Sequence, residues 1–159
     1  MKELPGDVFV TGQILPAQMQ ALIEQGVMTF INNRPDLEVP LQPLSETLEE
    51  TAYNSGVDYF HIPMSGGISP GLIEASRNAY ENAPRPIVAH CASGTRSTAL
   101  WCFAHVDKMG VDGVLESARN AGYHLDQIRA PLTSYLATCL LYTSPSPRDR
   151  TRSRMPSSA

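Results

Sequence analysis

A short apolar run that ends in a polar loop and then passes into a helix constrains this chain more than any other segment. The run, Pro86–Ala89, is typical of a buried strand, and Ala99–Ala104 has the apolar content of a packed helix. Between them lies the sequence HCASGTRST, residues 90–98. Cys91 is therefore predicted to lie on a strand-to-helix turn, where backbone N–H groups and the helix dipole attract negative charge.

The residue types in this loop predict an anion site around a reactive thiol. The positive end of a helix stabilises thiolate over thiol, so we expect Cys91 to have a lowered pKa and to act as a nucleophile. Arg96 offers a planar fork that can bind two oxygens of a phosphate, sulfate or sulfonate, and Ser97 can donate a hydrogen bond to the sulfur. A lone cysteine is more simply a buried thiol, but the order of strand, Cys, Gly-containing loop, Arg and helix favours the functional interpretation. The predicted anion-binding loop comprises Ala92, Ser93, Gly94 and Thr95.

Strands and helices are predicted to alternate along the rest of the chain. This order predicts βαβ units, and hence an α/β fold with a central, mainly parallel sheet and helices on both faces. The predicted strands are Val8–Thr11, Val27–Ile31, Val57–Pro63 and Pro86–Ala89. Helices are predicted over Pro16–Gln25, from an N-cap at Ser45 to Gly56, from Ser69 to about Asn82, up to Met109, over Asp112–Asn120 and within Gln127–Leu136.

Ligands of such sheets collect at the carboxyl ends of the strands, and three predicted turns leave the sheet there. We expect the turns Asn32–Asp36 and Met64–Ile68 to converge with the cysteine loop on one pocket. The candidate pocket residues besides the loop are Asn33, Arg34, Ser65, Gly66 and His90. His90 could tune the thiolate or could be an ordinary buried histidine at a strand end.

Composition restricts the class of partner. The 159 residues fit one domain, and no stretch approaches the ~20 apolar residues that span a bilayer. The first residues lack the apolar run of a secretion signal and three cysteines make no disulfide framework, so we expect a cytoplasmic protein. Residues 1–138 carry 8 Lys and Arg against 15 Asp and Glu, which disfavours binding to nucleic acid or to anionic membranes. The histidines lack metal-ligand spacing, so no metal or cofactor is predicted, and the oligomeric state stays open.

The amino-acid composition changes after Thr138. Ser, Pro, Thr and Arg dominate residues 139–159, which predicts a disordered tail after a domain of residues 1–138. The stretch CLLYTSPSPRD also looks like the translation of an adapter used in sequencing libraries. On that interpretation the tail is read-through, the natural C-terminus is missing, and its arginines have no function. A basic interaction arm is the competing interpretation.

With these residues placed, the chain resembles the phosphatase-like domain of the beta-lactamase hydrolase-like proteins, whose members are also labelled sulfur transferases. The resemblance covers about residues 8–132 and implies a fold similar to that of the cysteine-dependent tyrosine and dual-specificity phosphatases. It depends on five blocks in the right order: Thr11–Gln13, Ile31–Asp36, His61–Pro63, His90–Ser97 and Ala121–Tyr123.

Two departures from those phosphatases leave the reaction open. Four residues separate Cys91 from Arg96, whereas five are usual in cysteine-dependent phosphatases, and single-domain rhodaneses have a similar short loop. Dual-specificity phosphatases also place an Asp after the strand that ends near Pro63, where this chain has Met64 and Ser65. Asp36 is then the nearest loop carboxylate that could act as the general acid.

These observations leave three hypotheses in order of preference. The first is a phosphate monoester hydrolase that acts through a thiophosphoryl-cysteine. The second is a sulfurtransferase that carries sulfane sulfur as a Cys91 persulfide, and the third is a phosphate-binding module without catalysis. The expected partner is accordingly a small-molecule or protein phosphate monoester, or a sulfane-sulfur donor.

Overall fold

A computed structural model describes residues 1–143 and contains one five-stranded sheet. The strands lie in the order β1-β2-β5-β3-β4. All neighbouring pairs are parallel except the first, in which β1 runs antiparallel to β2. The strands are β1 (Lys2–Leu4), β2 (Val8–Thr11), β3 (Thr29–Asn32), β4 (Asp58–His61) and β5 (Ile87–His90). The predicted mainly parallel sheet is confirmed, and β1 is an edge strand that the sequence pattern did not indicate.

Helices cover both faces of the sheet, as predicted. Alternate residues of the strands point into two separate cores: Phe30 and Val88 pack with α1 and α2, whereas Ile31 and Ile87 pack with α3, α4 and α5. The helices are α1 (Pro16–Glu24), α2 (Ser45–Asn54), α3 (Pro70–Asn82), α4 (Thr95–Asn120) and α5 (Arg129–Thr143), with a 3₁₀ turn at Asp126–Ile128.

The central strand β5 fixes the position of the cysteine loop. All four residues of β5 are completely buried, as a strand covered on both faces requires. Because β5 lies between β2 and β3, its carboxyl end opens onto the turns that follow those two strands. The loop that leaves β5 therefore starts at the middle of the sheet edge.

The helix after the cysteine loop starts earlier and runs longer than predicted. It begins at Thr95, because Gly94 adopts a left-handed conformation (φ +96°) that ends the loop. Gly110 has a non-helical backbone (φ 79°, ψ 164°), so α4 consists of two helical segments joined by a kink. The kink lies where the sequence predicted one helix to end and the next to begin.

The last helix, α5, runs to Thr143 and so passes the predicted domain boundary at residue 138. The rest of the predicted tail, residues 144–159, lies outside the described residues, and the read-through interpretation stays a prediction. Within residues 1–143, no helix combines the length and the apolar character needed to cross a membrane.

Candidate active site

The sulfur of Cys91 lies at the base of the loop and is the target of several hydrogen bonds. The Gly94 N–H donates to Cys91 Sγ at 3.0 Å, and Cys91 is 0% exposed. Burial by itself would raise the pKa of Cys91. Hydrogen bonding from the backbone N–H groups of Ser97, Ser93 and Gly94, together with the nearby Ser97 hydroxyl, outweighs burial, so the pKa lies below that of an ordinary thiol. The loop thus favours a negative charge on the sulfur, as the sequence predicted.

The Ser97 hydroxyl has no other role in the described structure. Ser97 is completely buried, and its Oγ has no hydrogen bond of ordinary geometry to any described residue. Its effect on Cys91 is therefore a close approach to the sulfur rather than a well-formed bond. A buried hydroxyl without a partner is costly unless something else uses it, which suits a group that donates to a charged sulfur.

Two glycines allow other segments to approach the loop closely. A Cβ on Gly94 would collide with the Tyr123 hydroxyl, which donates to the Ser93 carbonyl at 3.1 Å. A Cβ on Gly12 would lie 2.8 Å from the Ala92 carbonyl oxygen. The loop is therefore clamped between the turn after β2 and the segment after α4, which explains two of the sequence blocks that carry the family resemblance.

Arg96 forms a two-pronged ion pair with a residue that the sequence did not single out. Its Nη1 and Nη2 donate to Glu38 Oε2 and Oε1 at 2.8 and 2.9 Å. Arg96 Nη1 also donates to the Met64 carbonyl at 3.0 Å. These contacts bring together the loop after β3, the turn after β4 and the cysteine loop, at the edge of the sheet where the sequence predicts the three turns to meet.

Glu38 binds a second arginine at the same time. Arg34 Nε donates to Glu38 Oε1 at 2.9 Å, and Arg34 Nη1 donates to Gln13 Oε1 at 3.2 Å. Hydrogen bonds from Arg96 and then Arg34 lower the pKa of Glu38 to about 2. Glu38 is therefore an anion throughout the physiological range and cannot supply a proton there.

The remaining candidate pocket residues occupy the sheet edge or its exposed turns. Asn33 is buried and holds β4 in place by donating to the Ile62 carbonyl at 2.9 Å. His90 is fully buried, and neither ring nitrogen has a hydrogen bond within the described part of the chain. Burial lowers the pKa of His90 to about 4, so the ring is neutral beside the loop. Ser65 and Gly66 are exposed in the turn after Met64.

Asp36 lies at the start of α2 rather than against the loop. Asp36 Oδ1 accepts a hydrogen bond from the Ser45 N–H at 2.8 Å, so the carboxylate caps the helix. The prediction that Ser45 is the N-cap was wrong: Leu44 holds that position, and the Ser45 hydroxyl bonds to Tyr59. A general-acid role for Asp36 stays a prediction, and it would require the carboxyl group to leave this cap.

Four residues that sequence reasoning did not assign to the site therefore contribute to it: Gly12, Gln13, Glu38 and Tyr123. Three of them lie in the blocks Thr11–Gln13 and Ala121–Tyr123, so the resemblance contained a usable signal. Glu38 lies in a proline-containing loop and has no such signal. Within the described residues, no group of three His, Cys, Asp or Glu side chains is placed to hold a metal ion.

The mainly parallel sheet has a central strand that ends in a cysteine loop, and the helix that follows carries an arginine in its first turn. The molecule has the α/β fold of the cysteine-based phosphatases. Residues 1–108 match the family described as beta-lactamase hydrolase-like protein, phosphatase-like domain, and the chain belongs to that family.

Relatives of known sequence are longer than this chain. The beta-lactamase hydrolase-like protein of Agrobacterium fabrum is 38% identical over 96 residues, which are 58% of this chain and 22% of that protein. The protein of the same name from Xylella fastidiosa is 30% identical over 98 residues, 61% of this chain and 23% of that protein. This chain thus spans less than a quarter of the length of the curated relatives that it matches.

Two solved structures with the same fold carry the name phosphatase. A putative phosphatase from Neisseria meningitidis is 28% identical with a TM-score of 0.73, over 84% of this chain and 96% of that one. The core catalytic domain of the PP-IP phosphatase SIW14 from S. cerevisiae is 18% identical with a TM-score of 0.62, over 89% and 90% of the two chains. The second likeness shows the shared fold alone.

Proposed function

We propose that this domain is a cysteine-dependent hydrolase of phosphate monoesters. The observation that carries the proposal is the placement of Cys91, whose sulfur accepts the Gly94 N–H at 3.0 Å and has a lowered pKa. The hydrogen bonds to Glu38 raise the pKa of Arg96 most. The charge of Cys91 raises it further, so the guanidinium lies close to the sulfur. A nucleophile and an oxyanion-binding fork therefore share one loop.

In the proposed reaction the Cys91 thiolate attacks phosphorus, so an S–P bond forms and the P–O ester bond breaks. The leaving oxygen departs as a phenolate and takes its proton from water afterwards. Water then attacks the thiophosphoryl group, which releases inorganic phosphate and returns the thiolate. Arg96 and the loop N–H groups hold the phosphoryl oxygens, and Ser97 stabilises the departing sulfur in the second step.

The surroundings of the loop favour esters with good leaving groups. Of the nearby carboxylates in the described chain, Glu38 stays ionised between two arginines and Asp36 caps α2. A phenol of low pKa departs without a proton, whereas an alkoxide near pKa 15 needs a positioned acid. Aryl phosphates are therefore the proposed substrate type.

Sulfur transfer is the second candidate, and the length of the loop favours it. With only four residues between Cys91 and Arg96, one fewer N–H is available for a tetrahedral dianion. In this reaction the thiolate attacks the outer sulfur of thiosulfate, forms a persulfide and releases sulfite. An acceptor such as cyanide then removes the sulfur as thiocyanate and regenerates the thiolate.

One experiment separates the candidates. The purified protein is assayed in parallel with an aryl phosphate and with thiosulfate plus cyanide, alongside Cys91→Ser and the control Cys102→Ala, which alters a buried thiol in α4. We expect phosphate release that is abolished in Cys91→Ser and retained in Cys102→Ala. Thiocyanate formation without phosphate release would favour the transferase, and neither product would favour a binding module.

A further inference from the structure

Glu38 binds some of the N–H groups of Arg96 and, within the described part of the chain, leaves others without a contact to an oxygen atom. An arginine has five N–H groups in one plane. Three of those of Arg96 are in use: one Nη1 hydrogen and one Nη2 hydrogen go to Glu38, and the second Nη1 hydrogen goes to the Met64 carbonyl. The two that remain are the Nε hydrogen and the second Nη2 hydrogen, which lie parallel along one edge of the plane.

That free edge has the geometry that an oxyanion needs. Within the described residues, the oxygen acceptors of Arg96 are all reached through Nη1 and Nη2, and the guanidinium lies near enough to Cys91 to interact with its sulfur through charge and hydrogen bonding. Two parallel N–H groups bind two oxygens of a phosphate or sulfonate at once. The contacts to Glu38 and Met64 therefore occupy the donors that the anion does not need and leave the useful pair open.

Glu38 can hold this orientation because it is itself fixed. Arg34, whose side chain is only 10% exposed, donates to the same carboxylate from Nε and to Gln13 from Nη1. The Arg34 carbonyl is in turn bonded by His61 Nε2 at 2.9 Å. A line of contacts thus runs from the ends of β2, β3 and β4 through Glu38 to Arg96. Without it, the partly exposed Arg96 side chain would populate several rotamers.

We propose that Glu38 is a positioning residue that fixes Arg96 so that its Nε–Nη2 edge faces an oxyanion bound above Cys91. The assignment rests on the proposed function for the identity of the substrate, a phosphate monoester. The opposite role, a carboxylate that keeps Arg96 away from the anion, would require Glu38 to occupy the free edge. Glu38 instead lies on the end that carries Nη1 and Nη2.

The variant Glu38→Gln tests the assignment, with Glu50→Gln on the exposed face of α2 as a control for the same change in charge. Gln keeps the size of Glu38 but offers one acceptor and one NH₂ group that repels the guanidinium. Because Glu38→Gln loses charge-assisted hydrogen bonds to Arg96, we expect inorganic phosphate to bind about 10- to 100-fold more weakly to this variant. Glu50→Gln should bind phosphate like the parent.

Three readouts make the result specific. Calorimetry gives the phosphate affinity directly, so it does not depend on whether the protein turns over an ester. The ¹⁵N–¹H signal of Arg96 Nε should shift when phosphate is added to the parent and shift less in Glu38→Gln. The pH dependence of Cys91 alkylation should change far less than the phosphate affinity, because the loop N–H groups make the largest contributions that lower the pKa of the thiol.

The outcomes separate this assignment from the proposed function. A parent that binds phosphate but hydrolyses no ester would overturn the hydrolase and leave the role of Glu38 supported if Glu38→Gln binds phosphate more weakly. A Glu38→Gln protein that binds phosphate as tightly as the parent, or more tightly, would overturn the positioning role. A parent that binds no phosphate at millimolar concentration would overturn it as well.

Discussion

At the scale of single residues, two thiols of this chain have the same burial and opposite environments. Cys91 and Cys102 are both 0% exposed. Hydrogen bonds from the loop lower the pKa of Cys91 against the effect of burial, whereas burial alone raises the pKa of Cys102 to about 12. Local donors, rather than exposure, decide which of the two sulfurs is charged.

This contrast predicts selective alkylation. As pH falls from 9 to 6, Cys91 should keep a larger thiolate fraction than Cys102, which stays protonated throughout, so Cys91 should be modified at least about tenfold faster at pH 7. Iodoacetamide labelling of a Cys139→Ser protein, followed by peptide mass spectrometry at several pH values, measures both rates. Equal rates at pH 6 would mean that the loop does not stabilise a thiolate.

Arg96→Lys, which keeps the charge but loses the planar guanidinium, should weaken oxyanion binding almost as much as Arg96→Ala. Lys cannot pair two-pronged with Glu38 and at the same time offer two parallel N–H groups to an anion. We expect Arg96→Lys to weaken oxyanion binding by roughly 2–3 kcal/mol, close to the loss in Arg96→Ala. Steady-state kinetics on the aryl phosphate compare the two variants, and parental turnover in Arg96→Lys would show that only net charge matters.

Asp36→Asn tests the sequence-based choice of general acid against the cap seen in the structure. A series of phosphate esters with graded leaving-group pKa gives the sensitivity of the rate in the parent and in the variant. If Asp36 only caps α2, both proteins should depend steeply on leaving-group pKa, and Asp36→Asn should lose at most about 1 kcal/mol of stability. A shallow dependence in the parent that becomes steep in the variant would instead identify Asp36 as the acid.

At the scale of secondary-structure elements, the loop between β3 and α2 combines a functional contact with backbone strain. Leu37 and Leu41 flank Glu38 with φ values of 66° and 68°, a region that favours glycine or asparagine. Both side chains are mostly exposed, at 79% and 101%. Neither leucine is fixed there by burial, so the contacts of Glu38 and its neighbours hold the loop in this conformation.

Relieving that strain should stabilise the protein. Asn tolerates the left-handed conformation, so we expect Leu41→Asn to raise the free energy of unfolding by up to about 1 kcal/mol. Val39→Asn is a matched control at an exposed position of the same loop that lacks a positive φ. Urea unfolding of the three proteins gives the comparison, and an equal gain in both variants would show that strain is not the cause.

At the scale of the whole molecule, a buried neutral histidine makes the fold sensitive to acid. Burial lowers the pKa of His90 from 6.5 to about 4. Between these two pH values the histidine is protonated in the unfolded chain and neutral in the folded protein. The stability from this residue is complete above pH 6.5 and is lost as pH falls from 6.5 to 4, up to about 3 kcal/mol. His105 also has a lowered pKa and acts with the same sign.

Replacing His90 should therefore change how steeply the unfolding free energy depends on pH. In His90→Asn, the unfolding free energy should fall less steeply between pH 6.5 and 4.5 than in the parent. The difference between the two slopes should correspond to about one bound proton. His124→Asn, at an exposed position, is the matched control for the same substitution. Urea unfolding across this range measures the slopes, and an unchanged slope in His90→Asn would mean that His90 is not neutral in the folded protein.

The sequence by itself determined the architecture and the centre of the candidate site. An apolar strand, a glycine-containing loop and a helix leave Cys91 at a helix start by local geometry alone, and the alternation of strands and helices requires a parallel sheet covered on both faces. The site residues named from sequence near the loop depend on this local order. Such features are decided within about ten residues of chain, where periodicity and turn chemistry act.

Only the tertiary structure decided which distant side chains meet that loop. Glu38 is 58 residues from Arg96 along the chain, and nothing in its local sequence distinguishes it from other exposed glutamates. Asp36, two positions away in the same loop, is the carboxylate that the sequence singled out, but in the structure it caps α2. The direction in which each carboxylate points depends on the path of the strained loop and on the positions of Arg34 and Arg96, which are set by packing across the sheet.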